Sequence, residues 1–385
     1  MILSHRRQKQ PQPKWRFFSI ASRLVQALIL VLLLASNFRS LPSKDIKQAE
    51  QLQNQQPQDP EEEQPQDPED TDCYDLMTRF RDDEINVTKS QKDMDYHKSF
   101  VTVANKDTDV PFYVSTHDKQ IDNIRSQIMV YKFYYERQLT KRVVEIFQAK
   151  RKKGEESIFL DVGANIGWFS LVAAMHGATK VYSFEPNLQN TVRMCESLSL
   201  NNLLRENKSQ NIVVPISKGV GQIEGNLTLY ATHGNNPGSF SFRKYDSKPV
   251  VGIMKITTLD LFAERHGWFD SRPSIGLLKL DVENFEKEVF KGAQKLFQSK
   301  IIENIVMELK INHRRKSKEL IIKTLYKNGY EIYMHGGFEG PKTLVKKKYF
   351  DWNDLVEDIQ NKLYGENILL TLKSPEPEQP QDRQQ

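Results

Sequence analysis

Cysteine is nearly absent from this chain: Cys73 and Cys195 are the only two in 385 residues. Two thiols cannot build a disulfide-rich scaffold or a multi-cysteine zinc site. They could form one bridge in an oxidising compartment, or stand apart as two buried or capped thiols. A strong excess of one charge is also missing, since 55 Lys and Arg face 50 Asp and Glu for a formal +5. Such a mixed surface gives no reason to expect a nucleic-acid partner. Acidic residues are missing from the first 23 positions, which hold Arg6, Arg7, Lys9, Lys14, Arg16 and Arg23. All charge is missing from Leu24–Phe38.

With Phe17–Ala21 added, that uncharged run approaches the roughly 20 apolar residues that cross a bilayer, provided Arg23 snorkels to the headgroups. The positive charge ahead of it places the N-terminus in the cytosol. Residues 1–16 then form a basic cytosolic tail and 17–38 an uncleaved type II signal-anchor. A cleaved signal peptide is the alternative. Either way the rest of the chain would face the lumen of the Golgi or endoplasmic reticulum, or the exterior. The tripeptides Asn86-Val-Thr, Asn207-Lys-Ser and Asn226-Leu-Thr agree with export.

Residues 39–94 are expected to be a disordered stem, because the Gln-, Pro- and Glu-rich part, with QPQDPE twice, cannot bury enough apolar surface to offset its ordering entropy. The tail 374–385 has the same character, which leaves 95–373 as one folded domain. Within it, strand and helix patterns alternate. Strands are expected over Ser157–Val162, Lys180–Phe184, Ile212–Ser217, Ile275–Leu280, Ile305–Leu309, Glu331–Met334 and Ile368–Leu372. Helices are expected over Asn187–Asn201, Leu259–Arg265, Phe285–Phe297 and Lys316–Asn328. The apolar, two-face-buried strands argue for an α/β fold, a mainly parallel sheet with helices on both faces. Leu227–Tyr230 and Phe240–Arg243 look like an inserted hairpin, and residues 117–150 like one or two basic amphipathic helices.

The strongest local signal is Asp161-Val-Gly-Ala-Asn-Ile-Gly167, where the first strand of the sheet turns into a helix. Ligands of open parallel sheets bind beyond the carboxyl ends of the strands, at the switch point of the topology. Small residues there admit a ligand to the backbone, and Asp161 can hold a cationic or polar group. Asn165 stands where a dinucleotide loop has its second glycine, which disfavours a pyrophosphate cradle. A phosphate-free cofactor with an amino-acid end and a nucleoside end fits better. Glu185, about 20 positions on at the end of the second strand, is placed to accept hydrogen bonds from ribose hydroxyls. Its alternative duty is to cap the next helix, as Asn187 can. At the end of the fourth strand Lys279, Asp281, Glu283 and Glu286 crowd the same edge, where a carboxylate or lysine could deprotonate or orient a hydroxyl. Lys279 and Glu283 could instead pair with each other. His233, in a glycine-rich loop, is a further candidate base. No metal is expected, although Asp281, Glu283 and Glu308 could lie close together.

DVGANIGWFSLVAA, FEPN, LSLNN, GSFSF, ITTLDLF and LLKLDVENFEKEVFKGA follow in that order over roughly residues 117–335. Together they resemble the FkbM-type methyltransferase family. The resemblance implies a class I methyltransferase, Rossmann-like fold, S-adenosylmethionine as cofactor, and methyl transfer to a hydroxyl oxygen, often of a sugar or polyketide. It implies that Asp161, Gly163, Ala164, Asn165 and Gly167 form the methionine-side loop and that Glu185 holds the ribose. Ser217 would lie near the adenine edge and Asp281 would face the sulfonium. The family usually has glycine after DVE, where this chain has Asn284; asparagine tolerates left-handed backbone angles, so the turn can survive. The acceptor would be a glycan or small molecule.

Two other readings exist. A type II anchor with a stem is also the layout of a Golgi glycosyltransferase, with Asp281-Val-Glu283 as a metal motif for a nucleotide sugar, but that leaves the glycine turn and Glu185 without a role. A non-catalytic protein of the same fold would not need the loop, the ribose acid and the strand-end acids together.

Overall fold

The computed structural model describes residues 71–79, 100–103, 111–117, 124, 128, 134–205, 207–232, 236–244, 247–308, 315–334 and 367–372. All lie in the unit Pro65–Gln385. The proposed anchor at 17–38, Asn86, His233 and the tail 374–385 lie outside the described residues. Among the described residues no helix is long and apolar enough to cross a membrane.

Two short strands, β1 (Phe100–Val103) and β2 (Phe112–Ser115), pair antiparallel ahead of helix α1 (Arg137–Lys153). The main sheet then begins with β3 (Ile158–Val162), α2 (Trp168–His176), β4 (Lys180–Phe184), α3 (Leu188–Leu200) and β5 (Val213–Ile216). An insert supplies β6 (Gly219–Val220), β7 (Gly225–Ala231), β8 (Phe240–Ser241) and β9 (Val250–Thr257). The chain re-enters the main sheet through α4 (Leu259–Arg265), α5 (Trp268–Ser271) and β10 (Ile275–Leu280). It finishes with α6 (Glu286–Lys291), α7 (Gln294–Ser299), β11 (Asn304–Glu308), α8 (Arg315–Lys327), β12 (Tyr330–Met334) and β13 (Asn367–Leu372).

The seven strands stand in the order β12-β13-β11-β10-β3-β4-β5. β11, β10, β3, β4 and β5 run parallel, while β13 is antiparallel to both its neighbours. This is the expected Rossmann-like arrangement. Alternation along the strands feeds two cores, one on each face. Phe159, Val181, Val213 and Leu277 enter one with α1, α2 and α3, while Leu160, Tyr182, Val214 and Leu278 enter the other with α4, α6 and α7. The strand order reverses between β3 and β10, so the carboxyl ends of these two strands flank the switch point.

Three expectations need correction. The inserted hairpin is a four-stranded sheet, β6-β9-β7-β8, in which the main partner of β7 is β9 and not β8. The run Val250–Thr257 is rich in β-branched residues, and its strand character outweighs proximity in sequence. The helix expected over Phe285–Phe297 is two short ones. At Gly292 between them a β-carbon would stand 2.1 Å from the carbonyl oxygen of Gly221, so backbone approaches backbone where a continuous helix would place a side chain.

The third concerns the stem, because residues 71–79 belong to the folded domain. Residues 73–79 are helical, and Cys73, Leu76 and Met77 form one buried stripe against the core. Cys73 is bonded to Cys195 on α3, a bridge spanning 122 residues of chain. Such a loop restricts the unfolded ensemble strongly. Reduction of the bridge, or Cys73→Ser, is therefore expected to lower stability by about 2–5 kcal/mol, read as a fall in Tm with dithiothreitol. An unchanged Tm would mean that the bridge ties together nothing that unfolding releases.

Candidate functional site at the switch point

Each functional residue here stands where a parallel strand ends. β3 runs out at Val162, and Gly163 turns with φ 83°, donating its N–H to the carbonyl of Phe184 at 3.0 Å. A β-carbon on Gly163 would lie 1.8 Å from the carbonyl oxygen of Asp281, so only glycine lets the ends of β3 and β10 come together. Asn165 takes a left-handed conformation at φ 53°, as asparagine can. Gly167 caps α2 at φ 81°. Ala164 is buried beneath the turn.

Asp161 is fully buried one residue before this turn. Its Oδ2 accepts from the Ser170 hydroxyl at 2.7 Å, and its Oδ1 has Lys279 Nζ 3.6 Å away. Lys279 is itself buried, with Nζ 3.5 Å from Asp281 Oδ2, 3.3 Å from the Gly163 carbonyl and over the Phe169 ring at 5.2 Å. Burial alone would lower the lysine pKa, but the carboxylates of Asp281, Asp161 and Glu136 outweigh it, and the ammonium is held charged. Burial pushes the Asp161 carboxyl up against the pull of Lys279 and Ser170. Lys279 thus ties the ends of β3 and β10 together and turns to the two aspartates.

Glu185 ends β4 and is buried. Its Oε2 accepts the N–H of Asn165 at 2.9 Å, and its Oε1 accepts the N–H of Asn187 at 2.9 Å and Asn190 Nδ2 at 3.3 Å. Burial pushes its pKa up to about 7 against those donors. A carboxylate offers about four lone-pair sites. Three are taken, so one ribose hydroxyl finds a ready acceptor and a second needs Asn190 to give way. Asn187 does cap α3, its Oδ1 accepting from Gln189 at 3.2 Å, so the Glu185 side chain is not the cap.

Some of these groups line one cavity, whose empty space of about 580 Å³ includes the part open to solvent. Gly163, Asn165, Glu185 and Asn190 form its polar end, Asp281 and Glu283 its acidic rim, and Leu229, Phe240 and Phe242 of the insert its apolar wall. The turn after β10 survives without glycine: Glu283 and Asn284 both take left-handed angles, φ 51° and 71°.

Not every expected residue comes to the cavity. Ser217 follows β5, but its N–H donates to Thr71 Oγ1 at 2.9 Å and its hydroxyl accepts from the same Thr71 at 2.9 Å. It does not line the cavity, and neither do Asp161, Ala164, Gly167 and Lys279, which lie behind the turn and hold it in place. Glu286 is buried and accepts the N–H of Val282 at 3.3 Å. The side chain of Glu308 lies outside the described residues. Among the described residues no three His, Cys, Asp or Glu side chains gather as a metal set.

Sequence reasoning missed Asn190. It sits in the first turn of α3, bonds Glu185, donates to the Pro237 carbonyl of the insert at 3.2 Å, and has His117 Nε2 2.8 Å from its Oδ1. A polar residue in the first turn of a helix that follows an acidic strand end was the available signal.

Comparison with known proteins agrees with this geometry. Residues 161–332 match the family model described as Methyltransferase FkbM domain. Over 147 residues the chain is 25% identical to Hexuronic acid methyltransferase AglP of Haloferax volcanii, covering 38% of this chain and 53% of that protein. It thus spans about half the length of the curated relative it matches. Among solved structures, methyltransferase FkbM from Methylobacillus flagellatus is 15% identical, with a TM-score of 0.32 over 56% of this chain and 43% of that one. An S-adenosylmethionine-dependent O-methyltransferase from Thermotoga maritima is 11% identical, with a TM-score of 0.33 over 70% and 76% of the two chains. At these scores the structural likeness carries no argument. Over residues 161–332 the chain is similar to the FkbM methyltransferase domain.

Proposed function

We propose that the chain is an S-adenosylmethionine-dependent O-methyltransferase acting on a hydroxyl of a glycan, held on the non-cytosolic side of a membrane by residues 17–38. The observation that carries the chemistry is the single cavity in which Gly163, Glu185 and Asp281 meet at the switch point. Its parts suit the cofactor, an open glycine turn for the amino-acid end and a buried carboxylate for the ribose, and leave Asp281 at the rim for the acceptor. The hexuronic acid relative supports a sugar acceptor. The buried Cys73–Cys195 bridge, the apolar run at 24–38 and the glycosylation tripeptides support export.

S-adenosylmethionine, when bound, supplies an electrophilic methyl group. The work left to the chain is alignment and proton transfer. Asp281 stands at the rim with its carboxylate partly open to solvent, so one oxygen can take an acceptor proton while Lys279 steadies the other. Phe240 and Phe242 offer an apolar wall to the acceptor and keep water from the reacting oxygen.

Asp281→Asn is expected to lower kcat about 10²- to 10⁴-fold, the range for a general acid or base, with S-adenosylhomocysteine affinity little changed. The assay is methyl transfer from labelled S-adenosylmethionine to a glycan mixture. If the variant lost cofactor binding and kept kcat at saturation, Asp281 would be a cofactor ligand and not the proton acceptor.

A further inference from the structure

The four-stranded sheet of the insert leaves two β-branched side chains of β9 in solvent. Ile253 is 74% exposed and Val250 62%, on a strand whose composition would ordinarily be buried. Residues directly opposite in an antiparallel pair share one face. The pairs Thr228↔Ile253 and Asn226↔Lys255 therefore put Asn226, Thr228, Ile253 and Lys255 on the same side. Leu229, out of step with them, points the other way and lines the cavity. Asn226 itself is exposed. Asn226 and Thr228 of the acceptor tripeptide Asn226-Leu227-Thr228 thus lie on the exposed face that carries Ile253. The second described tripeptide, Asn207-Lys208-Ser209, differs in setting. Asn207 Oδ1 is engaged by the Ser209 N–H at 3.1 Å and hydroxyl at 2.8 Å, and Lys208 is paired with Asp72 at 2.7 Å.

We propose that Asn226 carries an N-linked glycan whose first sugar rings lie over Ile253 and its neighbours. The donor class is an oligosaccharide on a lipid pyrophosphate. A bond forms between Asn226 Nδ2 and C1 of the first sugar as the C1–oxygen bond to the pyrophosphate breaks. The electron pair leaves with the pyrophosphate, and the amide nitrogen gives up one proton. The C–H face of the sugar covers the β-branched side chains while its hydroxyls remain in water. The glycan would shield Ile253 from water. The inference rests on the export reading above.

The test uses the full chain with its own N-terminus, made in cells with a secretory pathway and treated with peptide N-glycosidase. Asn226→Gln and Thr228→Ala are each expected to lose one mobility step relative to the parent, and Thr228→Ser to keep it. Because the sugar is attached before folding is complete, the readout holds even for a variant that folds poorly. Removing the glycan from the native protein is expected to raise the fluorescence of a hydrophobic dye. Asn226→Gln migrating with the parent overturns the proposal, whatever happens at other asparagines. A parent chain insensitive to the glycosidase, with Cys73 and Cys195 alkylated as free thiols in the cell, overturns both the glycan and export. The same insensitivity with the cysteines oxidised overturns the glycan alone.

Discussion

Glu185→Ala is expected to lower S-adenosylhomocysteine affinity by about 10- to 100-fold, the loss of one hydrogen bond to a charged acceptor. The effect does not double for the two ribose hydroxyls, because Asn165, Asn187 and Asn190 already occupy three of the carboxylate positions. The parent should also show a pH dependence. With the folded pKa near 7, lowering the pH through 7 protonates Glu185 and withdraws the charged acceptor, so affinity falls. Glu185→Gln should bind weakly and evenly across that range. The same shift sets a stability trend: from about 4.5 to 7 the folded state holds a proton that the unfolded chain has released, so Glu185 makes stability fall as pH rises. Isothermal titration from pH 6 to 8 reads the first effect. A flat profile in the parent would mean that Glu185 does not meet the ribose.

The second large effect is structural. Lys279→Met leaves Asp161 fully buried with its Oδ1 facing nothing charged, and removing one member of a buried pair costs about 3–5 kcal/mol. Asp161 would then take up a proton on folding, so the variant should gain stability as pH falls, the sign expected for a carboxyl whose folded pKa is raised. The double variant with Asp161→Asn should recover part of the loss. Denaturant unfolding of the two singles and the double measures it. Equal stability of Lys279→Met and parent would show that Lys279 is not the tie between β3 and β10.

Three elements were legible to the residue: the strands Lys180–Phe184 and Ile275–Leu280 and the helix Leu259–Arg265 have those bounds. The strands are buried on both faces and so read as apolar runs, and Thr258 starts the helix with its hydroxyl accepting from Leu261. The positions of Gly163, Glu185 and Asp281 followed, because they are strand ends, and strand ends of a parallel sheet converge. The insert was not legible, since β7 finds its main partner 20-odd residues on, across the 3-10 turn at Pro237–Ser239. Nor was Ser217, which a strand end should have delivered to the site. Thr71 holds it instead, from a segment whose composition reads as stem. The disulfide explains why that segment folds back; with two cysteines the sequence offered that one pair and left open whether it closes.

The central claim is that the switch-point cavity binds the S-adenosyl cofactor. Calorimetric titration of the full chain with S-adenosylhomocysteine, beside Glu185→Ala, tests it most directly. Saturable one-to-one binding is expected, weakened at least about tenfold by the substitution. A folded, monodisperse chain that takes up no S-adenosylhomocysteine, or a Glu185→Ala variant that binds it as the parent does, would contradict it.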